Sequence, residues 1–188
     1  MILTVSINII NYNEIRRGRF DNFWSTCHRL REINAETEIV VVDGYSTDGS
    51  FEKLRQIADV IEQQEPCKGK QRQRALELCS GDYIIDLVDA DQVILPDFVR
   101  VMNRYLELKP PYALNTDGCM ISRRGMIKEW PPLCKAPDKP VWYYLATNNM
   151  LRYLPVNTVD HVPSTAGKGA SPVLKRNEIS EEEFFGVV

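Results

Sequence analysis

Short apolar runs alternate with amphipathic stretches over the first hundred residues. Residues 3–10, "LTVSINII", and 38–43, "EIVVVD", are β-rich, and the second is apolar throughout, as a strand covered on both faces should be. Between them Phe20, Phe23, Trp24, Cys27, Leu30 and Ile33 fall on one helical stripe over 20–33. "SFEKLRQIA" (50–58) predicts a short helix with Ser50 as its N-cap. "DVIEQ" follows as a strand, "KQRQRALELC" (70–79) as a helix and "DYIIDLV" (82–88) as a strand. Pro96 opens a further helix at its first turn, with Phe98, Met102 and Tyr105 inward. This rhythm predicts an α/β fold: a mostly parallel central sheet with helices on both faces.

After Pro110 the pattern changes. "YALNT", "CMISRRG" and "MIKEW" are strand-like and short, and "WPPLCKAPDKP" reads as a proline-rich loop. "VWYYLATNNMLRYL" fits either a helix or a strand pair. "STAGKGASP" reads as a flexible stretch and "ISEEEFFGVV" as the start of a helix.

The 188 residues suit one domain with a sizeable core. Net charge is −3, which argues against a nucleic-acid partner. No apolar run approaches the roughly 20 residues of a membrane helix, and "MILTVSINII" reads as a first strand, not a signal peptide. The five cysteines are odd in number and include no C-x-x-C, which suggests neither a zinc site nor a full disulfide framework and suits a reducing cytoplasm. A single disulfide stays open.

In an open parallel sheet, ligands bind beyond the carboxyl ends of the strands. There the chain places "NYNE", "DGYSTDG" and "DAD". Asp89 and Asp91 would repel each other unless a hard cation, Mg²⁺ or Mn²⁺, lies between them, and such a cation bridges diphosphates. Asp97, in the first turn of the next helix, suits the helix dipole instead, and Asp86, inside the strand, has no evident role. Asp43 can accept from a nucleobase N–H, Tyr12 can stack on a base, and Glu14 can accept from base or ribose. Ser46, Thr47 and Asp48 read as caps for the next helix. Lys68, Lys70, Arg72 and Arg74 gather at a helix start that suits phosphate, although Arg72 and Arg74 cannot face one site together.

These motifs, in this order, resemble the family 2-like glycosyltransferases of the GT-A, Rossmann-like fold. The resemblance runs over about residues 3 to 106 through "INYNE", "IVVVDGYSTDGS", "QRQRALELCSGDY" and "LVDADQVILPDF". It implies one domain over 1–188, with a nucleotide-sugar half, 1–106, and an acceptor half, 107–188. It implies metal-dependent, inverting transfer from a nucleotide-diphosphate sugar, UDP favoured, to a glycan, lipid-linked or protein acceptor. Tyr12, Glu14, Asp43, Lys70 and Arg72 would hold the nucleotide, with Asp89 at the ribose and metal. Asp91 would be the direct metal ligand, and His161 is placed to reach it. Gly44, Tyr45 and Gln73 depart from the family pattern. The catalytic base is expected at Asp160, or in the acidic run at Glu182 or Glu183. Trp142, Tyr143, Tyr144 and Tyr153 suit sugar rings or a peripheral membrane contact at the cytoplasmic face. Two other readings stand beside this one. A non-catalytic nucleotide-sugar binder fits because no "GED" segment follows "ASPVLKRNEISEEEFFG" within these residues. A D-x-D phosphatase with Asp89 as nucleophile fits the string "DADQV" alone.

Overall fold

The computed structural model describes residues 3–18, 20–89, 92–117, 119–161 and 172–186. Seven strands form one sheet in the order β3-β2-β1-β4-β7-β6-β8. β1 (Thr4–Asn11) pairs in parallel with β2 (Glu36–Asp43) on one side and β4 (Tyr83–Asp89) on the other. β2 carries β3 (Val60–Gln63), also in parallel. β7 (Met120–Arg123) is reversed against both β4 and β6 (Ala113–Asp117). Two reversals restore direction, so β6 and its parallel neighbour β8 (Leu151–Asn157) run the same way as β4. The carboxyl ends of β2, β1, β4, β6 and β8 therefore share one edge.

Strand alternation sends successive side chains to opposite faces. Val5, Ile7, Ile9, Ile39, Val41 and Ile85 join one core with α1 (Phe20–Leu30), α4 (Pro96–Leu108) and α7 (Glu181–Phe185). Val40, Val42 and Ile84 meet α3 (Lys68–Leu78) on the other face, and Met120, Leu151 and Tyr153 meet α5 (Asp138–Thr147). The mostly parallel sheet with helices on both faces is thus as the sequence predicts. Pro96 does start α4, and Phe98, Met102 and Tyr105 are fully buried.

Several local expectations need correction. α2 spans only Ser50–Leu54, and its N-cap is Gly49, not Ser50. Gly49 takes φ +88°, which suits glycine, while Asp48 Oδ1 accepts from the Ser50 amide at 3.0 Å. "MIKEW" is no strand: Ile127 and Trp130 are buried anchors of a loop, and the Trp130 amide donates to Gln73 Oε1 at 2.7 Å. "VWYYLATNNMLRYL" is neither a helix nor a strand pair. It ends α5, turns at 148–150 and enters β8. α5 also begins inside the expected loop, because Pro140 sits in the first turn, where no amide donor is needed. Cys67 and Cys134 form a disulfide, and Cys27, Cys79 and Cys119 are free and buried. This bond pins the proline-rich loop to the start of α3. Gly69 permits that contact: a Cβ there would come within 2.0 Å of the Pro131 carbonyl oxygen. The "STAGKGASP" stretch lies almost wholly outside the described residues. A short second sheet pairs β5 (Gln92–Ile94) with β9 (Val159–His161), antiparallel.

Candidate functional site

The last residue of β2, Asp43, pairs with Asn11 of β1, and the last residue of β4, Asp89, pairs with Ile10. Two carboxylate-bearing strand tips therefore flank the β1 tip at the carboxyl edge. Two strand spacings set them roughly 10 Å apart.

Asp43 is fully buried and heavily bonded. Oδ1 accepts from Asn11 Nδ2 at 2.6 Å and from the Ser46 hydroxyl at 2.5 Å. Oδ2 accepts from the Ser46 amide at 2.8 Å and from Gln63 Nε2 at 3.1 Å. These four bonds match the capacity of a carboxylate. The longest comes from Gln63, an exposed side chain that an incoming N–H can displace. Asn11 Oδ1 is buried and has no partner, so an orphan acceptor sits beside Asp43. The Ser46 hydroxyl oxygen also accepts from the Asn13 amide at 2.9 Å, and the Thr47 amide donates to Asn13 Oδ1 at 2.9 Å. Ser46 and Thr47 thus tie two strand tips together instead of capping α2, and of the three expected caps only Asp48 serves the helix start.

Tyr12 is 38% exposed on the same tip, with the Arg17 guanidinium 5.6 Å from its ring centre. Gly44 makes room for it, since a Cβ would lie 3.0 Å from the ring. Glu14 is buried and accepts from Arg17 at 2.7 Å. Tyr45 takes φ +59°, a left-handed conformation unusual for so large a side chain.

Beneath the tips lies a buried polar layer on the α3 face. Arg72 is 2% exposed and donates to the Asn8 carbonyl at 2.7 Å. Asn8 Nδ2 donates to Asp86 Oδ1 at 2.7 Å. Burial pushes the Asp86 carboxyl up to about 6, against the opposing pull of Arg72 and Asn8. The β1–β4 register shifts between Ile7 and Ile9, so β4 bulges at Asp86, a device common beside active sites. Gln71 Nε2 donates to the Asn11 and Val42 carbonyls at 3.1 and 3.0 Å, bracing both tips from α3. Arg74 turns outward to Glu62 and Glu77, so the two arginines do face apart. Lys70 is on the exposed start of α3, 3.3 Å from Glu65. Asp97 pairs with Arg100 in the first turn of α4.

The side chains of Asp89, Asp160 and His161, and all of Asp91, lie outside the described residues. Their backbones are informative. His161 pairs with Gln92, the neighbour of Asp91, and Asp160 pairs with Val93. Carboxylate oxygens are the donor type that Mn²⁺ and Mg²⁺ prefer, and among the described residues no three metal-ligating side chains come together. Glu182 and Glu183 are elsewhere. Both are exposed on α7, whose Ser180 cap accepts from the Glu183 amide at 3.0 Å. Burial raises the pKa of Tyr112, which precedes β6 at the opposite edge of the sheet; Arg152 opposes the shift and Glu183 adds to it. Sequence reasoning also passed over Asn8, Asn11, Gln63, Gln71 and Asp117. The visible signal for the first two was a pair of amides inside an otherwise apolar strand.

The family described as glycosyl transferase family 2 matches residues 6–167. No curated protein sequence matches the chain. Among solved structures, S. aureus TarS 1–349 in complex with UDP-GlcNAc is 18% identical, with TM-score 0.66 over 98% of this chain and 64% of that one. The mannosyltransferase PcManGT from Pyrobaculum calidifontis, in complex with GDP-Man and Mn²⁺, is 17% identical, with TM-score 0.69 over 88% and 58%. Glucosyl-3-phosphoglycerate synthase from Mycobacterium tuberculosis, in complex with Mg²⁺ and UDP, is 14% identical, with TM-score 0.67 over 89% and 73%. The chain spans 36% of the length of the longer TarS chain. Its motif order, its sheet and a family match over most of its length agree: the chain belongs to glycosyl transferase family 2 and has the GT-A fold.

Proposed function

We propose that this domain moves a sugar from a nucleoside-diphosphate sugar, UDP-linked by preference, to an acceptor hydroxyl, with a divalent cation and with inversion. The observation that carries this reading is the register that sets Asp43 and Asp89 on either side of the β1 tip. Their separation matches the reach of a nucleoside diphosphate from base to diphosphate. Asp43, the orphan Asn11 Oδ1 and Tyr12 receive the base, the base N–H taking the place of Gln63 on Asp43. Glu14 orients the ribose side. Asp89, Asp91 and His161 would hold Mn²⁺ or Mg²⁺, which when bound would neutralise charge on the departing diphosphate. Lys70 adds an exposed cation at the α3 start, and Arg72 adds positive potential from beneath the tips.

The acceptor oxygen attacks the anomeric carbon from the face opposite the diphosphate. A carboxylate takes its proton as the new C–O bond forms and the old one breaks. Asp160 fits that role best, because β9 sets its backbone beside β5, directly after the D-x-D segment. Glu182 and Glu183 fit it less well, given the position of Glu183 toward Tyr112. The residues to 106 form the donor half and those from 107 the acceptor half, and glycan, lipid-linked or protein acceptors all suit this chemistry. No helix among the described residues is long and apolar enough to cross a membrane. Work at the cytoplasmic face, with the exposed Tyr143 and Tyr144 as interfacial contacts, completes the proposal.

Thermal unfolding with UDP, GDP and dTDP, each with and without Mn²⁺, tests the reading, because a ligand that binds only the native state raises stability. UDP with Mn²⁺ should raise the midpoint, and UDP-sugars should be hydrolysed slowly in the same mixture. Stabilisation without hydrolysis would favour a binder without chemistry. No response to any diphosphate would overturn the assignment.

A further inference from the structure

β6 ends at Asp117 on the same edge as Asp43 and Asp89. In the order β2-β1-β4-β7-β6, the three acids stand on strands two apart, so each step is about 10 Å. The four residues before Asp117 are buried, and Asp117 itself is exposed. Its carboxylate is nevertheless held in place. The hydroxyl of Tyr153, a side chain only 3% exposed, donates to Oδ1 at 2.5 Å. Burial, with the Asp117 contact adding to it, raises the Tyr153 pKa, so the phenol stays protonated and remains a donor. The backbone is tied down as well. Thr158, fully buried, donates its hydroxyl to the Asp117 carbonyl at 3.4 Å and shares a 2.7 Å contact with the Thr116 hydroxyl. The Thr158 carbonyl accepts from the Leu95 amide at 3.0 Å, which links this tip to the segment that follows Asp91.

We propose that Asp117, fixed by Tyr153, is an acceptor-binding residue that accepts a hydrogen bond from a second hydroxyl of a neutral, polyhydroxylated acceptor such as a sugar ring. The inference rests on the donor reading above and extends it to the acceptor class. The Tyr153 bond occupies Oδ1 and leaves Oδ2 to accept from a ligand. A fixed anion beyond the diphosphate end repels carboxylated or phosphorylated acceptors and suits alcohols. Asp117 is a positioning residue here, and the proton of the attacking hydroxyl still passes to Asp160.

The test is ligand-observed NMR with methyl glycosides of neutral hexoses, alongside glucose 6-phosphate and 3-phosphoglycerate, with Mg²⁺ and with or without UDP. The wild type should bind at least one neutral glycoside and neither anion. Asp117→Asn, which keeps the side-chain shape, should weaken that glycoside about tenfold and leave UDP affinity unchanged. Tyr153→Phe should weaken it less, about threefold, because the carboxylate survives but loses its anchor. Asp117→Lys should move the preference toward the anions. Failure of every neutral glycoside to bind the wild type overturns the proposal, as does unchanged glycoside affinity in Asp117→Asn. If UDP fails to bind the wild type, the donor reading falls, while the titration without nucleotide still decides the role of Asp117.

Discussion

The β2-β1-β4 side of the sheet and the β7-β6-β8 side present acids at one edge but hold them by different means. On the first side Asp43 is fully buried, with four hydrogen bonds drawn from β1, β3 and its own turn. Gln71 braces the same tips from α3, and Arg72 holds β1 beneath them. On the second side Asp117 is exposed, and one phenol from β8 holds its carboxylate. The surrounding chain is secured by long-range ties: the Cys67–Cys134 bond, the loop seated on Gly69 and the Trp130 amide on Gln73. A dense buried network presents one rigid geometry, which suits a donor with a fixed nucleotide. A sparse, tethered frame leaves the β7-β6-β8 side free to differ in shape without disturbing the β2-β1-β4 side, as the proposed division into acceptor and donor halves requires.

Removing the metal should have the largest effect. Chelation, or Asp91→Asn, is expected to lower transfer at least ~100-fold, since charge on the leaving diphosphate goes uncompensated. Circular dichroism should show the fold intact. Full transfer in the presence of EDTA would sink the metal assignment.

The next effect separates the halves by stability. Reducing the disulfide, or replacing Cys134 by Ser, frees a loop closed across 67 residues. In the chain-entropy model this is worth about 4 kcal/mol, or roughly 10 °C in midpoint for a chain of this size. Cys134 is exposed, so a thiol reductant can reach it. UDP affinity should hold well below the lowered midpoint. An equal loss of UDP affinity would show that the two sides are one coupled unit.

A smaller effect comes from beneath the donor tips. The folded protein binds the Asp86 proton more tightly than the unfolded chain does, with the carboxyl raised from 3.8 to about 6. Its contribution to stability is therefore fully present below pH 3.8 and declines as pH rises to about 6. The full size is about 3 kcal/mol, of which about 2 kcal/mol falls between pH 4.5 and pH 7. Urea unfolding at pH 4.5 and pH 7 reads it, as the slope that wild type shows and Asp86→Asn lacks. Identical slopes would mean that Asp86 is ionised throughout. The smallest effect is at Tyr45, whose left-handed backbone suits glycine. Tyr45→Gly should raise stability by about 0.5 kcal/mol, the relief of strain being partly offset by glycine entropy in the unfolded chain. A lower midpoint would show that the Tyr45 side chain makes contacts worth more than the strain.

Legibility in the sequence follows the same division. The β1 to α4 elements could be read because each apolar run is local and its period matches its structure. Asp43 and Asp89 could be placed because they end such runs. The long-range partners of Asp43 could not be read, since Asn11 and Gln63 reach it only once three strand tips are assembled. The resemblance sets Arg72 at the diphosphate, and only the packing of α3 under β1 shows it buried and bonded to the Asn8 carbonyl. Past Pro110, Ile127 and Trp130 mimic a strand because they anchor a loop to α5 and α3 without pairing. Asp117 has no motif around it. It becomes visible only when two antiparallel steps turn β6 parallel to β4.

In the proposed reading the β2 tip receives the nucleobase and the β4 tip the metal end of the same ligand, and calorimetric titration of UDP with Mn²⁺ into wild type and Asp43→Asn separates the two. UDP affinity should fall at least ~10-fold in the variant, while Mn²⁺ binding, measured in the same samples, stays at the wild-type value. Unchanged UDP affinity in a folded Asp43→Asn protein would contradict it.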